Sequence, residues 1–176
     1  MCLHKWTIIV NCKMKDKTKQ AGFSIIELLV VVIVIGILAA IVMLSYTGIQ
    51  NGAHDSAVQS DLRQAADQIE LFALDHNGDY AWSEATLSTA DISATKNSYS
   101  TNQNSFLYCA NNVGYSSPRF SLGATSKSGK IYYYSSMNER VLQITSGSLT
   151  CANMGFTPAW TTTGYSSGGG WQSWVK

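Results

Sequence analysis

Glu27 is the one ionisable residue in an otherwise apolar stretch of the chain, residues 20–41, which reads QAGFSIIELLVVVIVIGILAAI. An ionised carboxylate at bilayer depth costs about 2.5–3.5 kcal/mol on insertion scales, so such a group is normally retained because it has a partner. The alternative is that Glu27, one turn into the stretch, extends back to the membrane surface. We therefore expect the Glu27 carboxylate to contact a positively charged partner, with extension to the membrane surface as the alternative.

Other residue patterns that carry chemistry are scarce. The sequence contains no phosphate-binding loop, no Cys-x-x-Cys pair and no run of His with carboxylates at ligand spacing. The string DHNGD at 75–79 resembles the start of a calcium loop, but the later ligands and the terminal Glu of that motif are missing. We therefore predict that the protein is not an enzyme and holds no cofactor or metal.

The element that must position Glu27 is a membrane-spanning helix. Residues 28–44 contain no polar or charged side chain, and about 20 apolar residues at ~1.5 Å each cross the ~30 Å hydrocarbon core of a bilayer. The run is too long for a cleaved secretory signal, whose apolar region has about 7–15 residues. A plain membrane anchor stays open but leaves Glu27 unexplained. Four lysines precede the run and predict a cytoplasmic N-terminus: Lys13, Lys15, Lys17 and Lys19.

The segment around Glu27 also follows a family pattern. A short basic leader ends at Gly22, Phe23 follows, Glu27 is the fifth residue after the glycine, and the apolar run contains Gly36 within GILAAI. This pattern resembles the prepilin signature of type IV pilins and of the pseudopilins of related secretion and DNA-uptake machines. The resemblance covers about residues 14–46. One departure is Leu44, where family members commonly carry a proline.

The resemblance implies chemistry that is done to this chain. A prepilin peptidase would remove residues 1–22 by cutting between Gly22 and Phe23, and the new amino group of Phe23 would be methylated. Glycine before the cut lets the backbone enter a tight protease site. Glu27 would meet the positive N-terminus of a neighbouring copy in a helical homo-oligomeric filament. Because MKDKTKQAG is a complete leader by itself, Met14 is the expected start and residues 1–13 an artefact.

The partners implied are the peptidase, an assembly platform in the membrane, and other copies of the chain. The protein would be a single-pass membrane protein before assembly and part of an extracellular pilus afterwards. Nucleic acid is an unlikely ligand because the basic charge of the C-terminal part is modest. Residues 47–91 carry eight acids and one Arg, a net −7, and residues 92–176 carry six basic residues and one Glu, a net +5. These opposite charges either attract between copies or belong to ordinary solvated faces.

The rest of the chain predicts an α+β fold, in which a long N-terminal helix packs against a small antiparallel sheet. The membrane and assembly helix covers 23–46, and its amphipathic continuation covers 47–78, with a stop signal at Asn77-Gly78. A head follows at 79–176. An apolar stripe on the continuation faces this head, while Asp55, Asp61 and Asp67 fall on its other sides. Four runs read as strands: 105–110, 119–125, 130–136 and 140–146. The stripe comprises Val58, Leu62, Ala65, Ile69 and Phe72.

Only two cysteines remain once the leader, with Cys2 and Cys12, has been removed. Cys109 and Cys151 would then lie in an oxidising compartment, where two cysteines predict one disulfide. Two buried free thiols are the alternative. A shared metal is disfavoured because no histidine has ligand spacing to either cysteine.

The C-terminal segment 160–176 reads as a flexible tail. Three consecutive glycines at 168–170 form a hinge, and Trp171 and Trp174 follow in a segment too short to form a core. The two indoles either dock on the head or a neighbouring copy, or form a contact surface for an external ligand.

Three functions agree with these features. The first is a structural pilin of a filament used for motility or attachment. The second is a pseudopilin in a type II secretion or DNA-uptake machine. The third is a minor pilin whose head binds a surface or DNA. The size of the head and its hydroxyl-rich loop at 93–105 favour the first.

Overall fold

The computed structural model describes residues 22–111 and 119–176, without the side chains of Leu44 and Ser45. The predicted leader before Gly22 and the predicted start at Met14 lie outside the described residues. Contacts divide the chain into two compact units, Met1–Val42 and Met43–Lys176.

The long helix α1 spans Ile25–Asp75, 51 residues. It continues through Gly36, Gly48 and Gly52, and it is unbroken at position 44, where the family has a proline. The helix ends at the predicted signal, because Asn77 and Gly78 take left-handed backbone angles, with φ of 56° and 88°. The Gly78 N–H then donates to the Ala73 carbonyl at 2.8 Å, which satisfies one of the carbonyls that every helix end leaves open.

The second unit contains a six-stranded antiparallel sheet, so the predicted α+β class is confirmed. From one edge of the sheet to the other, the strands are β4 (Arg140–Ile144), β3 (Ile131–Ser135), β2 (Arg119–Thr125), β1 (Phe106–Asn111), β5 (Trp160–Ser166) and β6 (Gly170–Trp171). Four runs were predicted as strands, and the two additional strands lie in the C-terminal segment. A short helix α2 covers Glu84–Thr89, and a 3-10 helix covers Lys96–Ser98.

The core of this unit forms where the apolar stripe of α1 meets one face of the sheet. Every residue of the predicted stripe is buried, from Val58 to Phe72. Tyr132 and Tyr134 of β3 face this core, whereas Tyr133 packs against a smaller cluster that includes the disulfide. Successive side chains along a strand point to opposite faces of the sheet, so the three consecutive tyrosines contribute aromatic rings to both faces.

The prediction of a flexible tail at 160–176 is wrong. β5 pairs along its length with β1, and β6 pairs with β5 at Tyr165 and Ser166. The last residue is fixed as well, since the Lys176 N–H donates to the Ile92 carbonyl at 2.8 Å. The segment WTTTGYS lacks apolar alternation, so its strand character comes from backbone pairing with a neighbour that is distant in sequence.

Candidate functional site

The predicted processing residues lie at the start of α1. Gly22, Phe23 and Ser24 precede the helix without regular structure. The Ser24 carbonyl accepts from the N–H groups of Glu27 at 3.1 Å and Leu28 at 3.3 Å. Phe23 is 80% exposed, and no atom of the described chain lies within 4 Å of a Cβ built on Gly22. Among the described residues, nothing therefore covers the Gly22–Phe23 bond.

The helix that follows exposes apolar side chains on all its sides. A window of 18 residues in α1 has a mean hydropathy of 3.3, and none of that window is buried within the described chain. By length and composition it can cross a membrane, and it is too exposed to be the core helix of a soluble domain. Its apolar side chains must pack against lipid or other protein chains, because nothing in the described part of the molecule covers them.

Glu27 lies in the first turn of this helix and is exposed. Carboxylates are favoured at helix N-termini, where the unpaired backbone N–H groups concentrate positive charge. The same position leaves the carboxylate available to a positive group from outside the chain. The structure therefore allows the predicted contact with another copy, which remains a prediction.

In the second half of α1, two carboxylates join the helix to the head. Asp61 is 7% exposed and accepts three hydrogen bonds: from the Thr95 backbone N–H at 2.6 Å, the Thr95 hydroxyl at 3.1 Å and the Tyr99 hydroxyl at 3.0 Å. Burial and the neighbouring Asp61 carboxylate raise the pKa of Tyr99, so its hydroxyl stays a donor. A buried charge is tolerated when it is this fully hydrogen-bonded.

Asp55 makes the second junction. It is 4% exposed and accepts from the Lys130 ammonium at 2.8 Å and from the Ser128 hydroxyl, both on the turn between β2 and β3. Burial opposes ionisation of this carboxyl, but the hydrogen bonds from Lys130 and Ser128 outweigh burial and lower its pKa. Placing Asp55 and Asp61 on the outer sides of the helix was therefore wrong. Both lie three or four residues from stripe positions 58 and 65, and that spacing could have revealed them.

The disulfide predicted between Cys109 and Cys151 is present, with Cα atoms 6.1 Å apart. It lies on the sheet face opposite α1, in a cluster with Met154 and Phe156. A Cβ on Gly123 would collide with Leu149 and Met154. Glycine in β2 thus lets the segment that carries Cys151 approach the sheet, and the disulfide holds it there.

The two tryptophans of the C-terminal segment differ in exposure. Trp174 is 2% exposed and packs against Phe106, with ring centroids 5.8 Å apart. Trp171 is half-buried and meets Tyr99 edge-on at 5.1 Å, while the Lys96 ammonium lies 5.6 Å from its ring centroid. Trp174 therefore belongs to the core of the head, which agrees with the alternative that the indoles dock on the head and excludes this one from an external contact surface. Trp171 keeps one accessible side.

A serine motif also occurs in this region. Residues 164–168 read GYSSG, which fits the letters of the G-x-S-x-G nucleophile motif. That motif needs a sharp turn from a strand into a helix. Here Ser166 ends β5, its hydroxyl accepts from the Gly169 N–H at 3.0 Å, and the chain turns back into β6. The required context is missing, and among the described residues no group of three His, Cys, Asp or Glu could hold a metal.

Comparison with known proteins connects the helix start to a defined motif. A family model described as the prokaryotic N-terminal methylation motif matches residues 17–43. The chain carries that methylation motif. The matched residues include Gly22, Phe23 and Glu27, so the predicted resemblance to prepilins and pseudopilins is confirmed.

Relatives extend the likeness beyond the methylation motif. The type II secretion system core protein G of Aeromonas hydrophila is 31% identical over 62 residues, which is 35% of this chain and 43% of that protein. The protein of the same name from Escherichia coli is 30% identical over 64 residues, 36% of this chain and 44% of that protein. The type IV wide pilus major component PilA4 of Thermus thermophilus is 32% identical over 74 residues, which is 42% of this chain and 56% of that protein.

Each of these matches leaves more than half of the chain unaligned. The alignments span between 43% and 56% of the relatives' length, and no solved structure gave a match. Only the methylation motif is located by residue, at 17–43, so it supports the first part of the N-terminal helix directly. The arrangement of the head follows from its own contacts.

Proposed function

We propose that this chain is the structural subunit, a pilin, of a type IV pilus-like extracellular filament. The prepilin peptidase cuts between Gly22 and Phe23, the Phe23 amino group is methylated, and the mature chain assembles through the apolar half of α1. The filament serves attachment or motility. The observation that carries this proposal is the methylation motif on a helix whose apolar side chains are not covered by any of the described residues.

The apolar helix supports assembly because it has only two stable environments. Fully burying one such side chain is worth about 1.5–3 kcal/mol, so this helix cannot remain in water. Lipid and the centre of a helical bundle are both apolar surroundings for this helix, so its transfer from one to the other gains no hydrophobic free energy. Association then depends on close packing and on charge contacts. Glu27, paired with the N-terminal amine of another copy, supplies such a contact.

The first test is the N-terminus of assembled material. Filaments sheared from cells are analysed by mass spectrometry, and the expected result is a major component that begins at methylated Phe23. Gly22→Val should block cleavage and leave the uncut chain in the membrane, whereas Gly36→Ala should be cut normally. Filaments that retain residues 1–22 would overturn the proposal.

A second candidate is a pseudopilin of a type II secretion system, favoured by the relatives named core protein G. It shares the helix and its processing and differs in abundance and length of the assembled fibre. A deletion strain that loses export of secreted enzymes but never displayed surface filaments would favour this candidate. Loss of surface filaments with normal export would favour the pilin.

A further inference from the structure

The end of the head beside residue 50 of α1 contains an open groove. Its volume is about 550 Å³. One wall is the helix itself and the other is the turn between β2 and β3. That turn is fixed because the Lys127 N–H donates to the Ser98 carbonyl at 2.8 Å, and His54 lies 3.3 Å from the Ser98 hydroxyl. The lining residues are Gln50, Asn51, Ala53, His54 and Lys127.

This end of the head is basic. The described segments that meet here are 50–55, 96–98 and 126–130, and together they contain three lysines and one carboxylate. The carboxylate, Asp55, is buried and paired with Lys130. Lys127 and Lys96 are exposed, so their charge faces outward. The polar amides and the imidazole beside Lys127 add hydrogen-bonding groups suited to an oxygen-rich anion.

Counting residues along α1 from Glu27 assigns Gln50, which lines the groove, to the depth of lipid headgroups. Starting at Glu27, a ~30 Å hydrocarbon core takes up about 20 helical residues and ends near residue 46. The headgroup layer adds about 5–7 Å on each side, or about four residues, which reaches Gln50. Just before the groove, α1 exposes Tyr46 and Ile49, an aromatic and an aliphatic side chain of the kind found at membrane interfaces.

We propose that this groove binds the headgroup of an anionic phospholipid while the subunit is inserted in the membrane. Lys127 pairs with the phosphate, the side chains of Gln50, Asn51 and His54 hydrogen-bond to the headgroup oxygens, and Tyr46 and Ile49 contact the upper acyl chain. The bound lipid orients the head on the membrane surface before assembly. This inference rests on the membrane-inserted stage of the proposed function. It assigns a ligand class to residues that neither the motif nor the relatives explain.

The experiment uses the full chain, purified in a zwitterionic detergent and titrated with dioleoyl-phosphatidylglycerol, with bound lipids counted by native mass spectrometry. Dioleoyl-phosphatidylcholine and inorganic phosphate are the comparison probes. We expect phosphatidylglycerol to bind more tightly than phosphatidylcholine, and phosphate alone to leave no stable adduct. A basic residue at an anionic surface contributes about a fivefold change in affinity, so Lys127→Gln should weaken phosphatidylglycerol binding about fivefold and Lys127→Arg should retain it.

Arg140→Gln is the matched control, because it removes the same charge from an exposed residue. Arg140 directly follows Glu139, which lines a separate surface groove together with Glu70 and Leu74, about 20 residues or ~30 Å further along α1. This distance exceeds the ~8–10 Å screening length at ordinary ionic strength. Equal weakening by both variants, or equal binding of the two lipids, would overturn the lipid proposal. So would a dimer that depends on Lys127 and forms without phosphatidylglycerol, since the groove would then be a contact between copies. A chain that retains phosphatidylglycerol but is neither cleaved nor assembled would contradict only the filament function.

Discussion

Replacing Asp61 by Ala tests whether buried carboxylates fasten the head to α1. Asp61 accepts three hydrogen bonds, and one donor, the Tyr99 hydroxyl, is itself buried. Hydrogen bonds to a charged group contribute about 1.5–3 kcal/mol each, and an unpaired buried donor costs about 1–3 kcal/mol. Thr95 is exposed, so water can replace Asp61 at its N–H and hydroxyl. The main loss is therefore at Tyr99, and we expect Asp61→Ala to lower the free energy of unfolding by about 2–4 kcal/mol.

The assay is denaturant unfolding of the full chain in mild detergent, followed by tryptophan fluorescence, because Trp174 is buried in the head. Asp67→Ala is the control, since Asp67 lies on the same helix but is exposed, and surface changes of this kind stay within about 0.5 kcal/mol. Tyr99→Phe and the double variant complete a cycle, for which we expect a coupling energy above ~1 kcal/mol. A loss below about 1 kcal/mol for Asp61→Ala, or no coupling with Tyr99, would refute the idea that this contact holds the head on the helix.

Further predictions concern Glu27, the disulfide, Asp55 and Trp174. Glu27→Ala should be cleaved normally but yield few filaments because the charge contact between copies is lost; a normal filament yield would contradict that role. Cys109→Ser with Cys151→Ser should lower stability by up to ~4 kcal/mol for a separation of 42 residues, and the exported wild type should resist alkylation until it is reduced. The pKa of Asp55 is lowered in the folded head, so the stabilising contribution of its carboxylate is complete above the unfolded pKa of ~3.9 and is lost as the pH falls below that value. The free energy of unfolding of Asp55→Asn should therefore fall less steeply than that of the wild type between about pH 5 and 3. An equally steep fall in both proteins would contradict this contribution of Asp55. Trp174→Ala should destabilise the head by about 3–5 kcal/mol, while Trp82→Ala, at a 63% exposed position, should leave unfolding almost unchanged.

The local sequence determined the features that need only neighbouring residues. The apolar run fixes a helix in lipid because a chain there must satisfy its own backbone hydrogen bonds. The stripe from Val58 to Phe72 predicted the buried face of α1, and Asn77-Gly78 predicted where the helix ends, because these residues favour left-handed angles. Only two cysteines, Cys109 and Cys151, follow the predicted cleavage site, so within one processed chain they could pair only with each other.

Tertiary structure decided what depends on partners far away in sequence. β5 is a strand because its backbone pairs with β1, about 50 residues earlier. The local sequence WTTTGYS does not indicate this pairing. Asp55 and Asp61 are buried because Lys130 forms an ion pair with Asp55 and the Tyr99 hydroxyl donates a hydrogen bond to Asp61. In an isolated helix both carboxylates would remain in water. Trp174 enters the core because Gly164 leaves space beside Phe106. In each case the stabilising group becomes adjacent only when the chain has folded, so the pattern along the chain does not contain it.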